Sequence, residues 1–177
     1  LLYTYTKRTI NSVVTYFLER EDPALTTDAS AIGASTKTLT GLSHLNGETI
    51  QVIADDAYQG EFVVSGGEVT ITRTDTPTVI TGGLSFTPTI ETMPLNIPLE
   101  NGPNAAKPKK IIRASVELFE SNGVLVNGVR IADKTMGVDV FESVSPQTSL
   151  KQVYIQGWSV SATLTITQAE PVPMTIL

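Results

Sequence analysis

The chain has 177 residues, a formal net charge of −6 and a pI of about 4.7, with 18 Asp and Glu against 12 Lys and Arg. It contains no cysteine and one histidine, which excludes disulfides, thiolate metal sites and a thiol nucleophile. The acidity argues against nonspecific nucleic-acid binding, which needs Lys and Arg to neutralise phosphates, and no apolar run approaches the ~20 residues of a membrane helix.

A chain of this length makes one good-sized domain or two small ones. Threonine is about one residue in seven, and Val and Ile are abundant. β-Branched side chains fit a pleated surface better than a helix. The 13 Gly and 10 Pro fall at short intervals, as in a fold of many short strands. The expected class is all-β: an antiparallel β-sandwich or barrel-like fold, or two small β subdomains. Residues 1–95 read as a β-rich meander region, 96–110 as a loop or subdomain boundary, and 111–177 as a β-rich region completing the same fold.

Residues 1–8 alternate as a strand, Asn11-Ser12 is a turn, and 13–18 form a second strand, giving a hairpin. The opening LLYTYTKRT has strand character, lacks an initiator Met and has no basic leader before an apolar core. It therefore reads as part of a longer protein and not as a signal peptide. The charged run ending in Pro23 closes the hairpin. Residues 25–37 are small and polar, a predicted loop, and 39–42 are short and apolar.

Asn46-Gly47 is a strong turn signal, and 49–54 alternate as a strand. Asp55-Asp56 begins the next turn, which Gly60 closes, and 61–64 follow as a strand. Ser65-Gly66-Gly67 is a tight turn into a strand over 68–73, and 77–80 form another before Gly82-Gly83. Pro88 and Pro94 interrupt the extended segment 84–95, which suits an edge or a bulged strand. Residues 96–110 form the longest predicted loop, a length often functional.

Alternation of Ile112, Ala114, Val116 and Leu118 predicts a strand over 111–119. Asn122-Gly123 and Asn127-Gly128 predict hairpin turns around short strands at 124–126 and 129–132. Residues 133–150 are mixed and polar. Further strands are expected over 151–156 and 158–167, the latter with Val160, Ala162, Leu164 and Ile166 on one face, before an extended tail at 174–177.

No arrangement of residues meets the requirements of a catalyst. His44 would have to serve any hydrolase as base, yet it sits beside a turn and no G-x-S-x-G elbow exists; it reads as a structural histidine. Asp55 and Asp56 with Glu61 lack the spacing of a calcium loop. Glu19, Glu21 and Asp22 could supply a carboxylate pair for glycoside hydrolysis, which depends on a separation in space; they read as solvated charges. Gly66-Gly67 and Gly82-Gly83 precede no helix and make no phosphate loop. Lys107, Lys109, Lys110 and Arg113 form the only basic cluster, read as a solvated loop. Trp158, Tyr154 and Phe141 could line a sugar-binding face, but with aromatics at 6% of the chain they read as core. No residue is assigned a catalytic, cofactor-binding or metal-binding role.

Four segments resemble one family. KRTINSVVTYFLERED (7–22) is similar to its RTING…RYIER strand pair. TGLSHLNGETIQVIADDAYQGEFVVSGGEVTI (40–71) is similar to its GLxHLxGxxVxVLADG…VxxGxxTL block. GGLSFTPTIETMPL (82–95) echoes GLPYxSxxxTLPL, and PVPMTIL (171–177) echoes PLPxTVL. Each motif is short, but the four occur in order across nearly the whole chain. They resemble the C-terminal region of the tail nozzle proteins of short-tailed bacteriophages, also called tail hub or stabilisation proteins. The chain departs at Asp56, where the family usually carries glycine, and at Phe86, where tyrosine is common.

The resemblance implies a portion of a larger structural virion component, made in the bacterial host cytoplasm. Such proteins assemble as rings, usually hexamers, below the portal-adaptor complex and help form the DNA exit channel. It implies no enzyme activity, no cofactor, no membrane and no specific nucleic-acid binding. The partners it implies are further copies of the chain, the portal adaptor and other tail proteins. An acidic wall would not trap passing DNA. Segments 84–95 and 96–110 are the expected contact elements. The competing expectation is a carbohydrate-binding β-sandwich using Trp158 and Tyr154. A glycosidase using Glu19, Glu21 or Asp55 is a more distant third.

Overall fold

A computed structural model describes residues 2–96, 98–99, 102–103, 107–132 and 146–177. The fold is essentially all-β with antiparallel sheets. Among the described residues there is no α-helix, only a 3₁₀ turn at Ser43–Leu45. Packing divides the chain into two units: one takes in 2–86 and Glu170–Val172, the other the described residues from 87 to 169 and Pro173–Leu177. The main division falls between Phe86 and Thr87, upstream of the 96–110 segment.

The first unit contains β1 (Tyr3–Ile10), β2 (Val13–Arg20), β3 (Asp28–Ala34), β4 (Thr38–Leu39), β5 (Thr49–Ala54), β6 (Ala57–Val63), β7 (Val69–Thr70) and β8 (Val79–Leu84). β1 and β2 pair from Tyr3↔Arg20 to Ile10↔Val13 around Asn11 and Ser12, whose φ of 45° and 65° close a two-residue hairpin turn. The main sheet runs β3-β8-β5-β6. Alternation along β5 turns Ile50, Val52 and Ala54 into a core completed by Leu39, Leu42, Leu45, Val64, Val69, Ile71 and Ile80. The 3₁₀ turn seats Leu42 and Leu45. The chain leaves it through Asn46 (φ −58°, ψ 127°) and Gly47 (φ 86°), with Glu48 N–H donating to Leu45 O at 2.9 Å. Only the glycine of this Asn-Gly pair uses positive φ, the arrangement of a type II turn.

Several sequence expectations are corrected here. The predicted loop 25–37 contains β3, because its small residues allow close approach to β8. Asp55-Asp56 is itself the complete hairpin turn, at φ 48° and 62°. Gly60 does not close that turn. It lies inside β6 at φ 112°, where pairing shifts between Val52↔Gly60 and Ile53↔Tyr58, a bulge that accommodates an extra residue. Gly82-Gly83, expected to follow the strand over 77–80, is part of β8, paired with β5 at Val52 and Gln51. The expected strand over 68–73 is reduced to Val69–Thr70.

The second unit contains β9 (Thr89–Glu91), β10 (Pro98–Leu99), β11 (Gly102–Pro103), β12 (Arg113–Ser121), β13 (Val124–Val126), β14 (Val129–Arg130), β15 (Gln147–Tyr154), β16 (Thr165–Gln168) and β17 (Thr175–Ile176). Its two larger sheets run β15-β12-β17 and β14-β13-β16-β9. Val116, Leu118 and Val153 from the first meet Val124, Val126 and Ile166 from the second in one core, so the layers pack as a small sandwich. Among the described residues β9 is an edge strand, lying between Pro88 and Pro94. β10 and β11 pair within the segment expected to be a loop.

Asn127-Gly128 makes the predicted hairpin between β13 and β14. Asn122-Gly123 does not. It carries the chain from one sheet to the other, held by Gln168 Nε2 donating to Asn122 O at 2.7 Å. The strand predicted over 158–167 is confined to Thr165–Gln168. Ala162 takes φ 48°, which breaks the extended alternation, and Val160 is exposed. β15 begins four residues earlier than expected, at Gln147.

Candidate functional site

The β1-β2 hairpin has two unlike faces. Thr4, Thr6, Arg8, Thr15, Phe17 and Glu19 are half-buried, whereas Tyr3, Tyr5, Lys7, Thr9, Val14, Tyr16, Leu18 and Arg20 are all exposed. Tyr5 is 72% exposed and Leu18 74%. Tyr5 and Tyr16 stack across the strands, with ring centroids 5.6 Å apart and planes 8° from parallel. A two-stranded ribbon is marginal by itself, so its inner face must be tied to the rest of the unit. Arg8 does this. Its guanidinium makes a bidentate pair with Glu19 at 3.0 and 2.7 Å and reaches Asp28 at 2.6 Å. Arg8's hydrogen bonds hold the Glu19 carboxyl below the usual carboxylate range, against the opposing effect of burial.

Beneath the hairpin lies an open cleft of about 1040 Å³, lined by Arg8, Phe17, Glu19, Asp28, Ser30 and His44 among others. His44 Nε2 donates to Ala29 O at 2.9 Å, and its ring meets Phe17 edge-on at 6.0 Å. Ala29 sits at φ 51°, in a region costly for a side chain, where β3 pairing with β8 is irregular.

Three other acidic candidates, Asp55, Asp22 and Glu61, are engaged locally. Asp55 Oδ1 accepts from Thr78 N–H at 2.9 Å and Val79 N–H at 3.1 Å, and Asp55 also pairs with Arg73 at 3.5 Å. Asp22 accepts from Ala24 N–H at 3.1 Å and from Arg20 at 3.4 Å. Glu61 accepts from Gln51 at 3.4 Å. Among the described residues no group of three or more His, Asp or Glu could hold a metal ion, and no helix is long and apolar enough to cross a membrane. Of the expected contact elements, 84–95 presents exposed Phe86, Ile90, Met93 and Leu95.

Trp158 and Tyr154 were expected in the core and are not there: they are 73% and 67% exposed. Phe141 lies outside the described residues. Along β15, Val153 points inward, so period-2 alternation turns Tyr154 out, opposite Arg113. The pairing continues past the strand ends. Ile155 N–H donates to Ile112 O at 3.0 Å, and Lys109 and Ser159 exchange two bonds of 2.8 Å. The basic cluster and the exposed aromatics, which sequence reasoning treated separately, therefore share one ribbon. Strict alternation about Val153 was the signal that could have found it.

No protein-family model matches the chain, and no curated protein matches it.

Proposed function

We propose that the chain is a structural portion of a phage tail nozzle or hub, located in the virion, that works through subunit contacts and carries out no catalysis. The observation that supports this reading is the outward face of the β1-β2 hairpin. It gathers Tyr3, Tyr5, Val14, Tyr16 and Leu18 on one exposed surface, and contiguous apolar surface of this kind marks interaction sites. The four ordered segment resemblances give that surface its setting: a ring of copies below a portal adaptor, around a DNA exit channel. The occupied states of Glu19 and Asp55 fit an assembly role better than a glycosidase, whose acid must keep a proton that Arg8 denies to Glu19.

The test is electron microscopy of the full-length parent protein, with and without its portal adaptor. The expected outcome is a ring with an axial channel that stacks on the adaptor, and its loss on Tyr5→Ser with Leu18→Ser. A dispersed monomer indifferent to the adaptor would refute it. The exposure of Trp158 and Tyr154 favours one second reading, a carbohydrate-binding module. That reading predicts quenching of Trp158 fluorescence by neutral oligosaccharides, and a flat titration would remove it.

A further inference from the structure

Lys107, Lys109, Lys110 and Arg113 lie within seven residues, beside the segment that carries Tyr154, at the end of β15, and Trp158, beyond it. Residues 107–113 and 152–160 contain no Asp or Glu. The next carboxylate along the outer face of β12 is Glu117, opposite Leu150. Lys110, Ile112, Arg113, Tyr154 and Trp158 are all exposed. This single basic ribbon takes four of the chain's 12 Lys and Arg, leaving eight for the rest of the chain against all 18 Asp and Glu. The natural complement of the ribbon is thus present on the chain itself. Free polyanions would be repelled by the acidic remainder.

An exposed acidic pair lies on and beside β6. Among the described residues β6 is an edge strand of its sheet, with Glu61 and Val63 exposed along it and Asp56 exposed in the preceding turn. Burial, and to a lesser extent the charges of Glu61 and Glu170, pushes the Tyr58 phenol on this strand upward.

We propose that the ribbon of residues 109–113 and 154–159 docks onto the β6 edge of a second copy of this chain. Trp, Tyr and Arg are the residue types that dominate interface energetics, and the carboxylates of the acceptor edge fix register and partner choice. The two surfaces differ, so the contact is heterologous and propagates head to tail, closing into a ring where the rotation permits. The inference rests on the assembly reading above and names the contact that would drive it.

The experiment measures self-association of the full-length parent by sedimentation velocity, with ring counts by electron microscopy. Lys110→Glu with Arg113→Glu, and separately Asp56→Lys with Glu61→Lys, should each weaken association about tenfold or more. Combining the two reversals should restore most of it. Lys110→Gln with Arg113→Gln serves if charge reversal impairs folding, judged by circular dichroism. Rings formed normally by either reversal would overturn the docking while leaving the assembly reading in place. Failure of the combined variant to recover would overturn the pairing of these two surfaces. A wild-type protein that never associates would refute both. Quenching of Trp158 by an oligothymidylate at physiological salt, with assembly unaffected by the reversals, would reassign the ribbon to an anionic polymer.

Discussion

Gly83→Ala tests why a double glycine runs through the middle of a strand. The φ of Gly83 lies outside the left-handed region, so alanine meets no backbone penalty there. The obstacle is contact: an added Cβ would collide with the carbonyl oxygen of Asp28 and come within 3.0 Å of Ser30 Oγ and Thr27 Oγ1. A main-chain oxygen on a paired strand cannot swing aside, so the cost belongs near the top of the ~1–3 kcal/mol range for overpacking. Alanine's smaller loss of backbone freedom returns about 0.5–1 kcal/mol, leaving a net destabilisation of about 2 kcal/mol. At Gly82 the obstacles are methyl tips, Leu39 Cδ2 at 2.8 Å and Ile50 Cδ1 at 3.2 Å, so Gly82→Ala should cost less, about 1 kcal/mol. Gly66→Ala, with nothing within 4 Å but a φ of 64°, isolates the left-handed penalty of about 1 kcal/mol. Urea denaturation followed by far-ultraviolet circular dichroism should show the Gly83→Ala midpoint about 1 M below wild type. Hydrogen exchange should quicken first in β3 and β8. Asp28 also holds Arg8, so protection of β1 should fall with it. A Gly83→Ala protein with the wild-type midpoint would refute the close-approach argument.

Acidification should loosen the hairpin. Glu19 has a lowered carboxyl pKa in the folded state, so its contribution is present in full above the unfolded Glu value of about 4.3 and disappears as pH falls through the folded value. Amide exchange in β1 and β2, corrected for intrinsic rates, should lose protection below about pH 4. Glu19→Gln should abolish that pH dependence and cost about 1 kcal/mol at neutral pH; unchanged hairpin protection in that variant would contradict the anchoring role. Ala29→Gly should stabilise the protein by about 0.5 kcal/mol, since relief of positive φ outweighs glycine's added freedom in the unfolded chain. Destabilisation on thermal unfolding would show that the Ala29 methyl packs too well to lose.

Local signals carried much of this fold. Two-residue turns such as Asn11-Ser12 and Asn127-Gly128 need residues that tolerate positive φ, and that requirement is written in single residues. So is the alternation of β5, where Ile50, Val52 and Ala54 had only one way to face a core. What the local pattern could not reveal was which elements become neighbours. β3 reads as a loop until β8 lies beside it. Gly82-Gly83 reads as lying beyond its strand until Asp28 and Leu39 are seen to occupy the space a side chain there would need. Asn122-Gly123 reads as a hairpin although the strands it joins belong to different sheets.

The same division holds for the candidate surfaces. One histidine and no cysteine were legible as limits on thiol, imidazole and zinc-type ligand chemistry, because such chemistry depends on residue type. The exposed hairpin face and the ribbon joining Arg113 to Tyr154 were not. Exposure depends on whether a second layer covers a strand, and proximity depends on pairing between residues 41 positions apart. Sequence determined the strands and turns through backbone conformational preference. Tertiary structure alone decided which face each strand buries, and so which side chains remain available to a partner.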